Sequence, residues 1–500
     1  MQSMLEPFKD RYGKFIVAAI LFICLLRLFF IGEMGMMPQD AYYSFYSDHL
    51  ALSYFDHPPA IAYILRLFMT IFGRHVFVLK LADTVVTLLT IWCFYKLAFR
   101  FLDKEKVPTA IILLLSTFMV TILSLISTPD VPLMLFWTLS LLALHNAIFR
   151  GKKYYWLWSG ICMGLTFDSK YTAVFLPAGL FLFLILSPAH RKQLLSPWLW
   201  IGAVLFVLTI SPVIIWNVQH DFASFRFQSE ERMSDPETSR INIFYFFGLI
   251  GHQAAILMPV LLTAFFILLY KTFKQYKLRI ASVPAEELFL LCFFLPLFGG
   301  FILISFIYWI KLNWIMPAYI TGIIWVTKFF NKKWLKAQVG FALVLHFALA
   351  LEVIFYLVPV NSNDTWVGWK QLAQKVETVR SAYPNNFIFS ADGYKTSAVL
   401  NFYMDEMVYS SNIIGQEGLQ FDFVNNDLET LKGKNALFFR SDPRFKNVEK
   451  ANDQPNYLLP YFDGVKELDP IIITDRNGKT IRKFLVYECM NYKPGKKLNN

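Results

Sequence analysis

The chain has 500 residues, of which 56% are hydrophobic, 18% aromatic and only 17% charged. Soluble domains carry about 25% charged residues, so this composition excludes an ordinary soluble enzyme and a disordered protein. Five scattered cysteines without a CxxC pair exclude a disulfide framework and a zinc site made of thiolates. The remaining class is a membrane protein that crosses the bilayer many times.

The basic residues behind the net charge of +11 are unevenly distributed. Residues 361–500 hold 18 Lys and Arg against 17 Asp and Glu, whereas residues 1–360 hold 29 against 19. The excess therefore lies between apolar segments, mainly in alternate connections, which is the positive-inside pattern and predicts a cytoplasmic N-terminus. Because the charge is explained in this way, nucleic acid is not expected as a partner.

Apolar stretches long enough to cross about 30 Å of hydrocarbon predict about eleven transmembrane helices. They are expected near residues 14–32, 76–99, 107–126, 132–149, 154–168, 171–187, 197–216, 243–270, 287–309, 314–330 and 337–359. The first run has no small-residue cleavage site, so we predict a transmembrane helix there rather than a signal peptide. Together these helices predict a transmembrane domain over residues 1–360, with a long first outer loop at 33–75.

The composition becomes polar after Pro359, and short strands, a helix and a tight turn are predicted from there on. The strand and turn signals are Phe387–Phe389, Ala436–Phe439, Ile471–Thr474, Asn477-Gly478 and Phe484–Tyr487. Residues 361–500 are therefore predicted to form a small α/β domain. An odd number of preceding helices places this domain outside the cytoplasm.

The first outer loop combines acidic residues with two amphipathic segments. Asp40 heads an aromatic run, and Asp56-His57-Pro58-Pro59 precedes a second amphipathic helix. Helices of this kind lie on the membrane surface, so both are expected at the outer water–lipid boundary. There Asp40, Asp56 and His57 would meet the headgroup of a lipid-borne substrate.

Other ionisable residues are expected on the same outer side, namely Asp130, Lys170, His220, Arg226, Glu230 and Lys311. Each has a simpler interpretation. Asp40 and Asp130 could cap helices, Lys170 could extend to the interface, and the others could belong to solvated loops. The gathering of several acids on one side, beside apolar walls, favours a functional site.

These residues resemble the motifs of a known family. Asp40-Ala-Tyr-Tyr43 and Leu50–Pro59 resemble the first loop of bacterial GT-C glycosyltransferases of the protein O-mannosyltransferase superfamily, which includes the aminoarabinose lipid A transferase. Further matches follow in chain order: Ser127–Asp130, Ser169–Thr172, Ser211–Asp221, Ser224–Gln228 and Lys311–Trp314. The implied fold is a polytopic α-helical membrane protein with a C-terminal extracytoplasmic α/β domain.

The resemblance implies transfer of a sugar from a polyprenyl-phosphate donor, with inversion, on the outer face of the bacterial cytoplasmic membrane. The acceptor would be lipid A, another envelope glycan or a protein. Asp40 and Asp130 match the catalytic acids of the first and second loops. Asp56 and His57 stand where the aminoarabinose transferase has a Glu that contacts a divalent metal and a Lys that contacts the donor phosphate.

The chemistry of the residues agrees with these roles. A phosphate leaving group has a second pKa of about 6 and needs no general acid, so the enzyme must supply a base and positive charge. Asp40 is the expected base, Lys311 is expected on the acceptor side, and the expected phosphate contacts are His57, Lys170 and Arg226.

The metal is left open by the residue types. Oxygen ligands such as Asp56 and Glu230 suit Mg²⁺ or Mn²⁺, whereas His220 would favour a transition metal such as Zn²⁺.

Two other classes of protein also remain, a flippase or transporter for a lipid-linked glycan and a scaffold that binds through its C-terminal domain. Both would lack sugar transfer from a purified donor.

Overall fold

The computed structural model describes residues 10–231, 241–277, 279–358, 362–424, 427–442, 455–475 and 478–495. Contacts between Cα atoms divide the chain into two compact units. The first unit contains Met1–Gly32, His57–Ile61 and Lys80–Ile354. The second contains Glu33–Asp56, Ala62–Leu79 and Phe355–Asn500.

The main helices follow in chain order. They are α1 (Arg11–Glu33), α2 (Pro38–Asp48), α3 (Ala60–Phe72), α4 (Val76–Phe101), α5 (Val107–Ser116), α6 (Phe118–Leu125), α7 (Asp130–Ile148), α8 (Tyr155–Phe167), α9 (Phe175–Leu186), α10 (Pro197–Thr209), α11 (Ser211–Gln219), α12 (Ile243–Leu257), α13 (Pro259–Tyr276), α14 (Ala285–Ile304), α15 (Ala318–Thr327), α16 (Lys332–Phe355), α17 (Trp369–Ala382) and α18 (Lys395–Tyr403). Each stretch predicted to span the membrane is helical over most of its length.

Among the described residues, five helices are individually long and apolar enough to cross a membrane, or up to eight if each bent pair counts as one span. The chain is therefore a multi-pass membrane protein, and the count of eleven remains a prediction. The bent pairs are α5–α6 at 62°, α10–α11 at 43° and α12–α13 at 113°. Continuous helices over 107–126, 197–216 and 243–270 are thus wrong predictions.

The bends have identifiable causes. Pro212 and Pro259 lie in the first turns of α11 and α13, where proline cannot continue the hydrogen bonds of the preceding helix. The α5–α6 break has no proline. There the guanidinium of Arg27, a buried residue of α1, donates to the carbonyls of Leu115 (2.7 Å) and Thr117 (3.0 Å). An ionisable group inside an apolar span thereby satisfies backbone groups that the break leaves open.

The second unit contains a mixed sheet. Its strands are β1 (Phe387–Phe389), β2 (Val408–Tyr409), β3 (Ala436–Asp442), β4 (Phe462–Glu467), β5 (Ile471–Thr474) and β6 (Thr480–Tyr492). Their order is β2-β1-β3-β6-β4, with β5 also paired to β6. The predicted strands are confirmed, and β5 pairs antiparallel with β6 as the predicted hairpin requires. Asn477 of the predicted turn lies outside the described residues. β2 was missed because it has two residues, and β4 because its sequence is largely polar.

The first-loop helix α2 packs within the second unit. Nine of its eleven residues are buried. The ring of Tyr42 stacks on Tyr394 with centroids 4.2 Å apart, and Phe45 stacks on Phe421 at 4.4 Å. The aromatic residues of α2 therefore pack against residues of the C-terminal segment, and the expected position of α2 at the membrane surface remains a prediction. The amphipathic helix α3 does leave apolar side chains exposed: Tyr63, Leu67, Ile71 and Phe72.

This packing also changes the domain boundary. The sequence predicted a division near residue 360, with the loop 33–75 assigned to the transmembrane domain. In the structure, most of that loop forms one compact unit with the chain from Phe355 onward. The aromatic residues of α2 explain the difference, since they find their packing partners there.

Candidate functional site

A cavity of about 610 Å³ opens in the first unit. Its polar lining includes His57, Lys170 and Gln228. The rest of the lining forms an apolar wall of aliphatic and aromatic side chains: Val174, Phe175, Phe301, Ile304, Ile307 and Trp314. A cavity with a lysine ammonium and an imidazole on an otherwise apolar surface suits a ligand that joins an anionic group to a hydrocarbon chain.

Lys170 is also one half of a buried ion pair. It lies in extended backbone after α8, and its ammonium is 2.8 Å and 3.0 Å from the two carboxylate oxygens of Asp130. Asn313 donates a further hydrogen bond to Asp130 through its side-chain amide. The structure therefore brings two predicted residues, Asp130 and Lys170, into direct contact, and Lys170 connects Asp130 to the cavity.

Asp130 does not cap α7 through its side chain. It is the first residue of that helix, which has no side-chain capping hydrogen bond. Its carboxylate is instead used by Lys170 and Asn313. The capping interpretation therefore fails for Asp130, and the motif Lys311–Trp314 contributes through Asn313 and Trp314.

The segment that leads to Asp130 is held by one face of α4. Three side chains donate to the last carbonyls of α6: Lys80 to Leu125 (2.8 Å), Thr84 to Ser124 (3.0 Å) and Thr87 to Leu123 (3.0 Å). The hydroxyl of Ser127 donates to the carboxylate of Asp83 (2.7 Å). Sequence reasoning missed these residues because they lie inside an apolar span. The polar residues of α4 are spaced three and four positions apart, which places them on one helix face, and this spacing is the signal that identifies them.

The other predicted residues of the first unit have different surroundings. His220 lies at the end of α11, where its Nδ1 is 2.8 Å from the carbonyl oxygen of Trp216 and its ring stacks on that indole. Arg226 and Lys311 are exposed and are not part of the cavity lining. The side chain of Glu230 lies outside the described residues.

Asp40 belongs to the second unit and is fully buried. Its Oδ2 accepts a hydrogen bond from the backbone N–H of Met37 (2.9 Å), which satisfies a free donor at the start of α2. The capping role considered for Asp40 is therefore present in the structure. Burial, together with the nearby charge of Asp40, raises the pKa of Tyr403 to about 12.

Asp56 is also buried in the second unit, where tyrosine hydroxyls surround it. Its Oδ1 accepts hydrogen bonds from Tyr42 (3.1 Å) and from Tyr46. Burial raises the pKa of Tyr42 well above its ordinary value, so this phenol keeps its proton and donates.

Of the three predicted metal ligands, Asp56 and His220 have described side chains, and that of Glu230 lies outside the described residues. Among the described residues, no three His, Cys, Asp or Glu side chains are grouped closely enough to hold a metal ion. Oδ1 of Asp56 is used by two phenols, and one ring nitrogen of His220 faces a carbonyl. Metal dependence therefore remains a prediction.

Comparison with known proteins supplies independent information. A family profile described as dolichyl-phosphate-mannose-protein mannosyltransferase matches residues 56–216. The chain is 24% identical over 299 residues to the lipid A galacturonosyltransferase RgtD of Rhizobium johnstonii. The aligned region covers 60% of this chain and 61% of RgtD. The chain thus matches about three fifths of the length of this curated relative.

Solved structures resemble the chain over nearly its whole length. ArnT from Cupriavidus metallidurans bound to undecaprenyl phosphate has a TM-score of 0.58 and 14% identity, covering 96% of this chain and 98% of ArnT. The oligosaccharyltransferase of Archaeoglobus fulgidus in the apo form has a TM-score of 0.51 and 12% identity, covering 98% of this chain and 76% of that protein. The expected resemblance to GT-C glycosyltransferases is therefore confirmed, in sequence over part of the chain and in fold over most of it.

Proposed function

We propose that the protein is a membrane glycosyltransferase that moves a sugar from a polyprenyl-phosphate donor to an envelope acceptor. The observation that carries this proposal is the cavity in which His57 and Lys170 meet an apolar wall. A polyprenyl phosphate has the matching composition, with one phosphate on a long hydrocarbon chain. A charge-assisted contact near lipid is roughly twice as strong as a neutral hydrogen bond, so the phosphate is the natural anchor.

The relatives support the same substrate class. The matched family profile covers His57, Asp130 and Lys170, and its description names a dolichyl-phosphate sugar donor. The relative RgtD is named for transfer to lipid A, and ArnT was solved with undecaprenyl phosphate. On this basis lipid A is the first acceptor to test, ahead of other envelope glycans and proteins.

Each residue then has a defined task. Lys170 and His57 contact the departing phosphate and stabilise its charge. Asp130 and Asn313 hold Lys170 in place at the cavity wall, so Asp130 acts on the phosphate through Lys170. Asp40 is the base that takes the proton of the acceptor. Direct attack by the acceptor on the anomeric carbon inverts its configuration.

The proposed orientation follows from charge. The concentration of basic residues in alternate connections supports a cytoplasmic N-terminus and an extracytoplasmic C-terminal domain. With about eleven spans in the inner membrane, transfer takes place on the outer face, where a flipped lipid-linked sugar is available.

The deciding experiment is transfer by the purified protein in detergent. A panel of polyprenyl-phosphate hexoses and pentoses is incubated with lipid A, and the product is detected by mass spectrometry. We expect one donor to yield glycosylated lipid A, with the inverted anomer seen by NMR. Movement of labelled donor across proteoliposomes without transfer would instead identify a flippase and overturn the proposal.

A further inference from the structure

One glutamine of the C-terminal segment forms hydrogen bonds with the first loop next to Asp56. Gln420 is buried, and its Oε1 accepts a hydrogen bond from the backbone N–H of Phe55 (2.9 Å), the residue before Asp56. The backbone N–H of Gln420 donates to the hydroxyl of Tyr42 (3.2 Å). That hydroxyl in turn donates to Oδ1 of Asp56 (3.1 Å). Gln420 therefore fixes Asp56 twice, through the neighbouring backbone and through a phenol.

The segment that carries Gln420 is shaped for this contact. It is the 3-10 turn Leu419–Asp422, closed by a hydrogen bond from the backbone N–H of Gly418 to the Asp422 carboxylate (2.8 Å). Leu419 has a φ of +53°, which is unusual for a residue with a branched side chain. Strained backbone of this kind persists where surrounding contacts determine it, and it often occurs at functional positions.

Aromatic rings hold the same segment against the loop. Phe421 stacks on Phe45 at 4.4 Å, and Phe423 stacks on Phe55 at 5.3 Å. The ring of Tyr42 itself stacks on the ring of Tyr394, with centroids 4.2 Å apart. The hydroxyl of Tyr42 lies between Gln420 and Asp56, within hydrogen-bonding distance of both.

We propose that the Asp56 carboxylate takes part in sugar transfer and that the C-terminal domain sets its position, with Gln420 and Tyr42 as positioning residues. This inference rests on the proposed glycosyltransferase function. It assigns the C-terminal domain a part in turnover, in addition to its own folding. Neither residue contacts a substrate in this account, since both act through Asp56.

The first test separates kcat from KM. Tyr42→Phe keeps the stacked ring and removes the hydroxyl, which donates to Asp56 and accepts from the Gln420 N–H and the Tyr46 hydroxyl. Gln420→Met keeps the length of the side chain and removes the acceptor of the Phe55 N–H. Each variant is expected to lower kcat about tenfold while the KM for the donor stays within about twofold, as for a displaced side chain that does not bind the donor. An unchanged kcat in both variants would overturn the proposal.

A double variant tests whether the two residues act on one target. If both side chains act by holding the Asp56 carboxylate in one position, the pair Tyr42→Phe/Gln420→Met should lose little more than either single change. Losses that multiply would mean separate structural effects and would contradict the inference. All values are corrected for the folded fraction, measured by thermal unfolding.

Tyr492→Phe is the matched control. Tyr492 donates a buried hydrogen bond to the carbonyl of Ile413 (3.0 Å), and both residues belong to the C-terminal domain. Its loss should lower the melting temperature about as much as Gln420→Met and leave kcat within about twofold. An equal loss of kcat would show that general destabilisation explains both variants.

Hydrogen exchange gives a readout that does not depend on activity. In the Gln420→Met variant, the first-loop peptide that contains Phe55 should exchange faster than in the unmodified protein, although its own sequence is unchanged. Unchanged exchange would overturn the contact itself. If the unmodified protein transfers no sugar from any donor, the proposed function fails, and the exchange result still reports separately on the contact.

Discussion

The ammonium of Lys170 lies 2.8 Å from Oδ1 and 3.0 Å from Oδ2 of Asp130, and both side chains are buried. Such a pair adds little stability over an apolar pair, but removing one partner leaves a buried charge without its counterion. The arrangement also places the cation of Lys170 at a cavity wall. We therefore regard the pair as a means of holding a positive charge ready for an anionic ligand.

Replacing Asp130 or Lys170 alone should destabilise the protein more than replacing both together. Asp130→Ala and Lys170→Met should each destabilise the protein by about 3–5 kcal/mol, whereas Asp130→Leu/Lys170→Met should recover much of this. Transfer should be lost in all three. Melting temperatures in detergent measure the first effect, and equal melting temperatures for the single and double variants would contradict the pairing argument.

Asp130→Ser distinguishes the ion pair from a helix cap. Serine caps a helix about as well as aspartate, so a capping role predicts normal activity. Serine cannot hold the ammonium of Lys170, and we expect most of the transfer activity to disappear. A fully active Ser variant would leave Asp130 with a purely structural role.

Asp40→Asn separates catalysis from capping in the first loop. The Asn side-chain oxygen can still accept the Met37 N–H, so thermal stability should stay near that of the unmodified protein. Loss of the base should lower transfer by about 10²–10⁴-fold. Asp48→Asn, at the other end of α2, is the control and should remain active, since it breaks only a partly exposed ion pair with Arg74. Full turnover by Asp40→Asn would rule out the catalytic assignment.

His57 is tested by the affinity of the protein for polyprenyl phosphate. If its charge contacts the phosphate, His57→Lys should keep the affinity and His57→Ala should weaken it by about tenfold or more. If it binds a metal as a neutral ring, Lys and Ala should be equally impaired and EDTA should reduce binding to the unmodified protein. Equal affinity in all three forms would assign it neither role.

The apolar wall can be tested by filling it. Ile304 lines the cavity at the end of α14. The substitution Ile304→Trp should obstruct a prenyl chain and weaken donor binding. Its neighbour Leu303 is 72% exposed and is not part of the lining, so Leu303→Trp is the matched control. Equal donor affinity for the two variants would show that the chain binds elsewhere.

Much of the architecture was predictable from local pattern. Apolar runs identified the helical spans, because a membrane requires about twenty consecutive apolar residues whatever their partners. Motif order identified the resemblance to GT-C enzymes, and alternation with a tight turn identified the β5–β6 hairpin. The acids Asp40, Asp56 and Asp130 were found because polar residues stand out at the ends of apolar segments.

Only the tertiary structure decided which of these residues meet. Lys170 and Asp130 are forty positions apart, and no local rule connects them. The α4 face with Lys80 and Asp83 was concealed by its apolar surroundings. The aromatic side chains of α2 could have faced lipid or protein equally well, because both environments bury them. The choice depended on packing partners near Phe421, more than three hundred residues away, which is why the first loop and the C-terminal segment form one unit.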